Sequence, residues 1–403
     1  MRGPADVDAA TQAYLDQLTP EAKARSDAYF EGGYWLLLLD AAYGVAIALL
    51  LLGTGLSARM RDFAERVTRV RFLRSLLYAA EYFVAAAILS FPLSLYEGFI
   101  REHKYGLSNH TFAGWLGDEA KGLLVTLVLG SLAVAGIYRA IGRWPRTWSL
   151  WASIMAVAFI CFFGAVAPVF ISPLFNTYKP LPDSPLKAKI VSLARANGIP
   201  AQEVWQFDAS KQTKRMSANV SGMFNTTRIS LNDNLLNRGS PEEIQAVLGH
   251  EMGHYVLNHV YKFILEFGVL IVVFFAILRW AMEGMLRRYG TAWRVRDIAD
   301  LAGLPLFVAI FSLLFFLATP ITNSLVRAQE AEADMFGLNA ARQPDGFARA
   351  ALHLSEYRKM KPGPLEEFVF FDHPSGWNRI RRSMVWKAEH LHDPDLAEQR
   401  GSF

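Results

Sequence analysis

The chain has 403 residues, 52% hydrophobic and 19% charged, with a mean hydropathy of +0.19, a balance too apolar for an ordinary soluble enzyme. Its formal net charge of +4 is modest and is carried largely by arginines beside apolar runs, which argues against nucleic-acid binding. The single cysteine, Cys161, lies inside an apolar run, so disulfides cannot hold the monomer together and cysteine usage is silent on compartment.

Ahead of Tyr34 the chain is polar and lacks the basic start and short apolar region of a cleavable signal peptide. Apolar runs then predict membrane spans at Tyr34–Leu52, Leu76–Tyr96, Leu123–Ile141 and Leu150–Ile171. Two more follow at Phe263–Met282 and Leu301–Ile321, each close to the roughly 20 residues that a bilayer core requires. Aromatic residues such as Trp35, Trp144, Trp148, Trp151 and Trp280 sit at the run ends, as in an interfacial belt. Buried core helices of a large soluble protein could explain one or two such runs but hardly about six. This divides the chain into an N-terminal membrane part (1–171), a polar part (172–262), two further spans (263–321) and a polar tail (322–403).

The first polar part predicts a helix from Pro185 to Asn197, stopped by Gly198, then strands at Glu203–Phe207 and Thr227–Leu231. Ser217–Gly222 between them suits a further strand. Ser240-Pro241-Glu242-Glu243 next supplies an N-cap, a proline at the first helical position and a capping-box glutamate. The helix so opened carries His250-Glu251-Met252-Gly253-His254, an HExxH motif. Residues four apart lie one turn above each other, so both imidazoles can hold one tetrahedral Zn²⁺, with Glu251 placed to activate a water as general base.

Such a site needs a third protein ligand and an open position. Glu330, in a helical run from Leu325 to Arg342, is the choice, with Asp334 on the same face to orient a metal-binding histidine from behind. A solvated acidic helix face explains the same spacing about as well. Glu332 points elsewhere on that helix and is the weaker candidate. His259, on the far side of the HExxH helix end, reads as structural, and His103 and His110 as loop residues. His373, with Arg379 close in sequence, is placed to stabilise an oxyanion, the alternative being an ordinary loop histidine.

Several stretches together resemble one family, the type I CaaX prenyl proteases, which are integral-membrane zinc metalloproteases. They are Gly249–His259, the run Tyr96–Thr111, Pro173-Leu174-Phe175-Asn176 through Pro182, Glu330 with Asp334, and His373-Pro374 with Arg379. The resemblance implies a mainly α, multi-pass membrane fold: a ring of about six helices around a chamber, with a gluzincin-like α+β protease domain. It further implies zinc on His250, His254 and Glu330, Glu251 as base, Asp334 behind the ligands, and His373 and Arg379 steadying the tetrahedral intermediate. Asp40, Glu81 and Glu266, costly inside apolar spans, would then face that chamber or a partner. Val326 and the order Met216-Ser217-Ala218 depart from the family pattern, which bears on substrate preference rather than chemistry.

The expected function is membrane-embedded zinc endopeptidase action by a monomer on peptides or membrane-associated proteins, in a bacterial inner membrane. The substrate would lie extended along Ser217, Ala218, Asn219 and Val220. A quality-control protease would use the same chemistry; a transporter or scaffold with structural zinc would not need Glu251. The arginines of the first, third and fifth loops put those loops in the cytoplasm and the protease part on the opposite face. The family resemblance implies the reverse.

Overall fold

The structure, a computed structural model, describes residues 4–200, 203–222, 227–394 and 396. Among the described residues five helices are long and apolar enough to cross a membrane: Pro20–Gly53, Arg71–Lys104, Phe112–Arg143, Trp148–Phe175 and His259–Trp293. The 34 residues of the first would span about 51 Å at 1.5 Å each, well beyond a bilayer core of about 30 Å. Hydropathy marks only the lipid-immersed part of each helix; polar turns carry the rest into the aqueous domain. Three of these spans contain π turns, at Tyr96–Arg101, Thr126–Gly130 and Ala167–Ile171.

The sixth expected span is shorter and broken. Its apolar helix ends at Leu317, and Thr319–Ala341 leaves at 58°. Pro320, in the first turn of the second helix, lacks the amide hydrogen that an unbroken helix would use, so the chain restarts there. The helix expected from Leu325 therefore begins at Thr319.

At most 17% of each apolar window is buried, so the spans do not form a solid bundle. Their buried contacts gather at one end, where Leu51, Tyr78, Ile141, Trp148, Leu278 and Met282 share a core with Leu301–Phe307. The Arg61 guanidinium donates there to Asp300 at 2.5 Å and to the Arg294 carbonyl at 2.9 Å. The helices converge at this arginine-rich end and separate towards the other.

At the separated end lies a four-stranded sheet of β1 (Tyr178–Pro180), β2 (Val204–Phe207), β3 (Ala218–Ser221) and β4 (Arg228–Asn232), in the order β1-β2-β4-β3. β2 and β4 run parallel, the outer pairings are antiparallel, and β3 is an edge. Ile229 and Leu231 of β4 pack with Ile190, Leu248 and Met252, tying the sheet to helices Pro185–Ala196 and Pro241–Val256. The loop after Lys104 clamps this part to the membrane helices: Asn109 donates to the Gln212 carbonyl at 3.0 Å, and Glu102 pairs with Arg215 at 3.0 Å. His103 and His110 belong to this clamp, His110 meeting Asp118 at 3.0 Å. Of the carboxylates in apolar spans, Glu266 accepts from Gln329 at 2.8 Å and Asp40 bonds to Glu97, while one oxygen of Glu81 is buried with no partner among the described residues.

Candidate metal centre

The helix Pro241–Val256 opens as the sequence predicts: Ser240 accepts from the Glu243 amide, and the Glu243 carboxylate accepts from the Ser240 amide at 2.6 Å. Its glycines let another helix come close. A Cβ on Gly249 would lie 3.0 Å from the Gly337 carbonyl oxygen, and one on Gly253 3.1 Å from the Ala333 Cα. Across the crossing, a Cβ on Gly337 would sit 2.7 Å from the His250 amide nitrogen. The close approach brings Glu330 and Asp334 of Thr319–Ala341 against the motif histidines. Gly337→Val is expected to separate the helices, destabilising the protein by about 1–3 kcal/mol and weakening metal retention. Thermal unfolding and metal analysis check this, and unchanged values in both would refute the role of the crossing.

The ligand atoms converge. Nε2 of His250 lies 3.2 Å from Nε2 of His254, and each lies 3.2 Å from a Glu330 carboxylate oxygen. A tetrahedral ion with bonds of about 2.0–2.1 Å needs ligand atoms about 3.3 Å apart, so the donor set fits. Among the described residues no well-aligned hydrogen bond reaches the buried Glu330 Oε2, which lies 3.2 Å from His250 Nε2, and a cation between the two would satisfy both. With Glu330 7% exposed and Asp334 fully buried, the solvated acidic face is excluded.

Asp334 accepts from His250 Nδ1 at 2.9 Å, which leaves His250 Nε2 free to ligate. The same carboxylate takes Arg379 at 2.5 Å and Arg382 at 2.7 Å. With no ion present, burial lowers the His250 pKa, but the carboxylates of Asp334 and Glu330 outweigh it and raise it to about 9. A metal would compete with that proton. Burial raises the Glu251 carboxyl above its ordinary range, the direction that makes it a stronger base.

His259 is not on the far side. Leu257 ends the first helix, and Asn258 adopts a left-handed conformation with φ of 57° before the next helix starts at His259. The turn swings His259 back, buried, until its Nδ1 lies 2.8 Å from His254 Nδ1. Its Nε2 donates to Glu332 at 3.0 Å, and Lys262 reaches the same oxygen at 2.6 Å. Because a carboxylate only accepts, His259 carries its proton on Nε2, accepts from His254 Nδ1, and leaves His254 Nε2 bare. Glu332, the weaker ligand candidate, thus lies behind a ligand rather than on the ion. His259→Phe should lower metal affinity by about 10- to 100-fold, measured by chelator competition. Wild-type affinity in that variant would dismiss the chain of bonds as incidental.

His373 holds Asp372 at 2.8 Å through Nδ1 and turns Nε2 to within 3.4 Å of Glu330. It lines a cavity of about 250 Å³ beside His250 and Glu251, with Arg379, Ser217 and Ala218 on the rim and Leu235, Val247 and Phe347 supplying apolar walls. Every predicted site residue except Asn219 and Val220 lines this cavity or bonds to the ligand cluster; those two lie on β3, which packs against the HExxH helix.

Comparison with known proteins agrees with this geometry. Residues 180–386 match the model of peptidase family M48, and residues 7–177 match that of the CAAX prenyl protease N-terminal region, five membrane helices. The chain is 28% identical to the uncharacterized metalloprotease YhfN of Bacillus subtilis (strain 168), over 91% of this chain and 86% of that protein. It is 30% identical to the CAAX prenyl protease 1 homolog of Oryza sativa subsp. japonica, over 75% of this chain and 71% of that one. The crystal structure of S. mikatae Ste24p superposes with a TM-score of 0.78 at 22% identity, covering 94% of this chain and 95% of that one. The expected architecture holds: a mainly α, multi-pass membrane protein with helices ringed about a chamber and a protease part at one end. The chain belongs to peptidase family M48 and is an integral-membrane metalloprotease.

Proposed function

We propose that the protein is a zinc endopeptidase that cuts extended peptide segments of membrane-associated proteins, with one Zn²⁺ held by His250, His254 and Glu330. The single observation that carries this reading is the convergence of two imidazole Nε2 atoms and the Glu330 carboxylate, 3.2 Å from one another, beside an open cavity. Among the described residues the cluster has three members, which favours a catalytic site over a closed structural one. Bound there, zinc supplies Lewis acidity that activates a water and polarises the scissile carbonyl. Glu251 takes the proton of the attacking water and hands it to the leaving nitrogen. His373, when protonated, donates from Nε2 to the carbonyl oxygen as negative charge develops. Arg379 adds positive charge while holding Asp334 in place.

Ala218, Asn219 and Val220 lie on β3, an edge of the sheet, with Ser217 just ahead of it, so a substrate can add as a further strand through main-chain bonds. One apolar side chain of that strand fits the walls formed by Leu235, Val247 and Phe347. We take the protein to act as a monomer in a bacterial inner membrane, with its arginine-rich end cytoplasmic, as the positive-inside rule favours. A reporter fused to the C-terminus, active only in the cytoplasm, would reverse that orientation. Purified protein should cleave an internally quenched peptide, stop on treatment with 1,10-phenanthroline and recover with Zn²⁺. Cleavage indifferent to the chelator would end the metal reading.

A further inference from the structure

At the end of the membrane part opposite the metal centre, a cavity of about 530 Å³ opens between the helices that start at Arg71 and end at Arg143 and the turn after Trp293. Six arginines line it against three carboxylates. Two of the six are committed: Arg61 to Asp300 at 2.5 Å and Arg296 to Glu65 at 2.7 Å. Among the described residues the Arg74 guanidinium donates to the carbonyls of Thr68 and Arg69, both at 3.3 Å, and forms no ion pair. Arg71 and Arg139 are exposed and have no carboxylate partner among the described residues, and Arg143 lies over the Trp144 ring at 5.8 Å.

Two further observations point to an anion. Tyr138 lines the cavity, is only 6% exposed, and has a hydroxyl with no hydrogen-bond partner among the described residues. A buried hydroxyl without an acceptor is costly, and the surrounding cations favour a negatively charged one. The helix Arg71–Leu95 also starts here, with no side-chain cap on its first turn, so free amide hydrogens and the positive end of its dipole add to the field. Height in the membrane narrows the source. Trp144 stacks on Trp151 at 4.7 Å, and Phe72 and Leu73 are exposed beside the cavity, the pattern of a chain crossing from headgroups to acyl tails.

We propose that this pocket binds a phosphate group, carried by the headgroup of an anionic lipid whose tails lie along the exposed flank of the Arg71 helix. The guanidinium groups of Arg71, Arg74 and Arg139 take the phosphate oxygens, and Tyr138 donates to one of them. Anionic lipid bound there joins the first, third and fifth loops at the convergent end, leaving the chamber mouth and the metal centre untouched.

The full-length protein in a neutral detergent, mixed with phosphatidylglycerol, phosphatidylcholine or inorganic phosphate, tests this by native mass spectrometry and thermal unfolding. Phosphatidylglycerol should be retained and raise Tm saturably; phosphatidylcholine should not. Arg71→Gln with Arg139→Gln, both at exposed positions, should weaken retention by about 10- to 30-fold, and Tyr138→Phe by less. An equal response to inorganic phosphate, lost in the same variants, assigns the site to the free anion and keeps the phosphate chemistry. Retention of phosphatidylglycerol unchanged in the double variant, or matched by phosphatidylcholine, overturns the proposal.

Discussion

Glu251→Gln should cut peptide hydrolysis by about 10²- to 10⁴-fold while the purified protein still carries its metal. The substitution keeps size and burial but removes the motif carboxylate that would accept a proton from water, since His250 and His254 turn their free nitrogens to the ligand cluster. Burial holds the Glu251 carboxyl above its ordinary range. A group so raised is protonated and idle at low pH and gains its base function as pH climbs through the elevated value. The acid limb of kcat/KM should therefore lie above that of a solvated glutamate and vanish in the variant. Metal analysis and turnover on one preparation decide the matter: full metal with undiminished cleavage removes Glu251 from the chemistry.

Asp334→Ala is the second large effect. Its carboxylate is fully buried and serves three partners: His250 at 2.9 Å, Arg379 at 2.5 Å and Arg382 at 2.7 Å. Deleting it leaves two guanidinium groups without their anion at a buried position, a change that costs about 3–5 kcal/mol. It also frees His250 to take the tautomer that presents a proton to the metal, lowering affinity by about 10- to 100-fold. Asp334→Asn should restore part of the packing but not the charge balance, so stability should recover more than metal affinity. Chemical unfolding and chelator competition separate the two. A fully stable, fully metallated alanine variant would show that the arginines find other partners.

Much of the centre was legible because it depends on local spacing. Ser240, Pro241 and Glu243 announce the helix, four-residue spacing aligns His250 with His254, and the same interval pairs Glu330 with Asp334. The segment Ser217–Gly222 was legible as a strand, though not as an edge, which depends on pairing with β4. His259 was misread because counting along an unbroken helix sends it away from the ligands; the left-handed Asn258 reverses the direction, and nothing in composition flags that turn. An asparagine followed by a new apolar run was the available signal, since asparagine tolerates that conformation better than most residues. Hydropathy carried the last span through Ala318 because Thr319-Pro320 is too short a polar break to register. The arginine pocket was invisible for another reason: its members come from three loops, and only the folded chain shows which of them are left without acids.

The place of Glu330 in the chain, beyond the last two membrane helices, also fixes an order of events during synthesis. The ribosome completes the two histidines first, then a membrane hairpin, and only afterwards the returning helix with Glu330. Until that hairpin has crossed the bilayer and come back, the nascent chain holds an unfinished cage. Competence to cut is thereby tied to correct insertion, and a chain stalled halfway through the translocon is inert towards its neighbours.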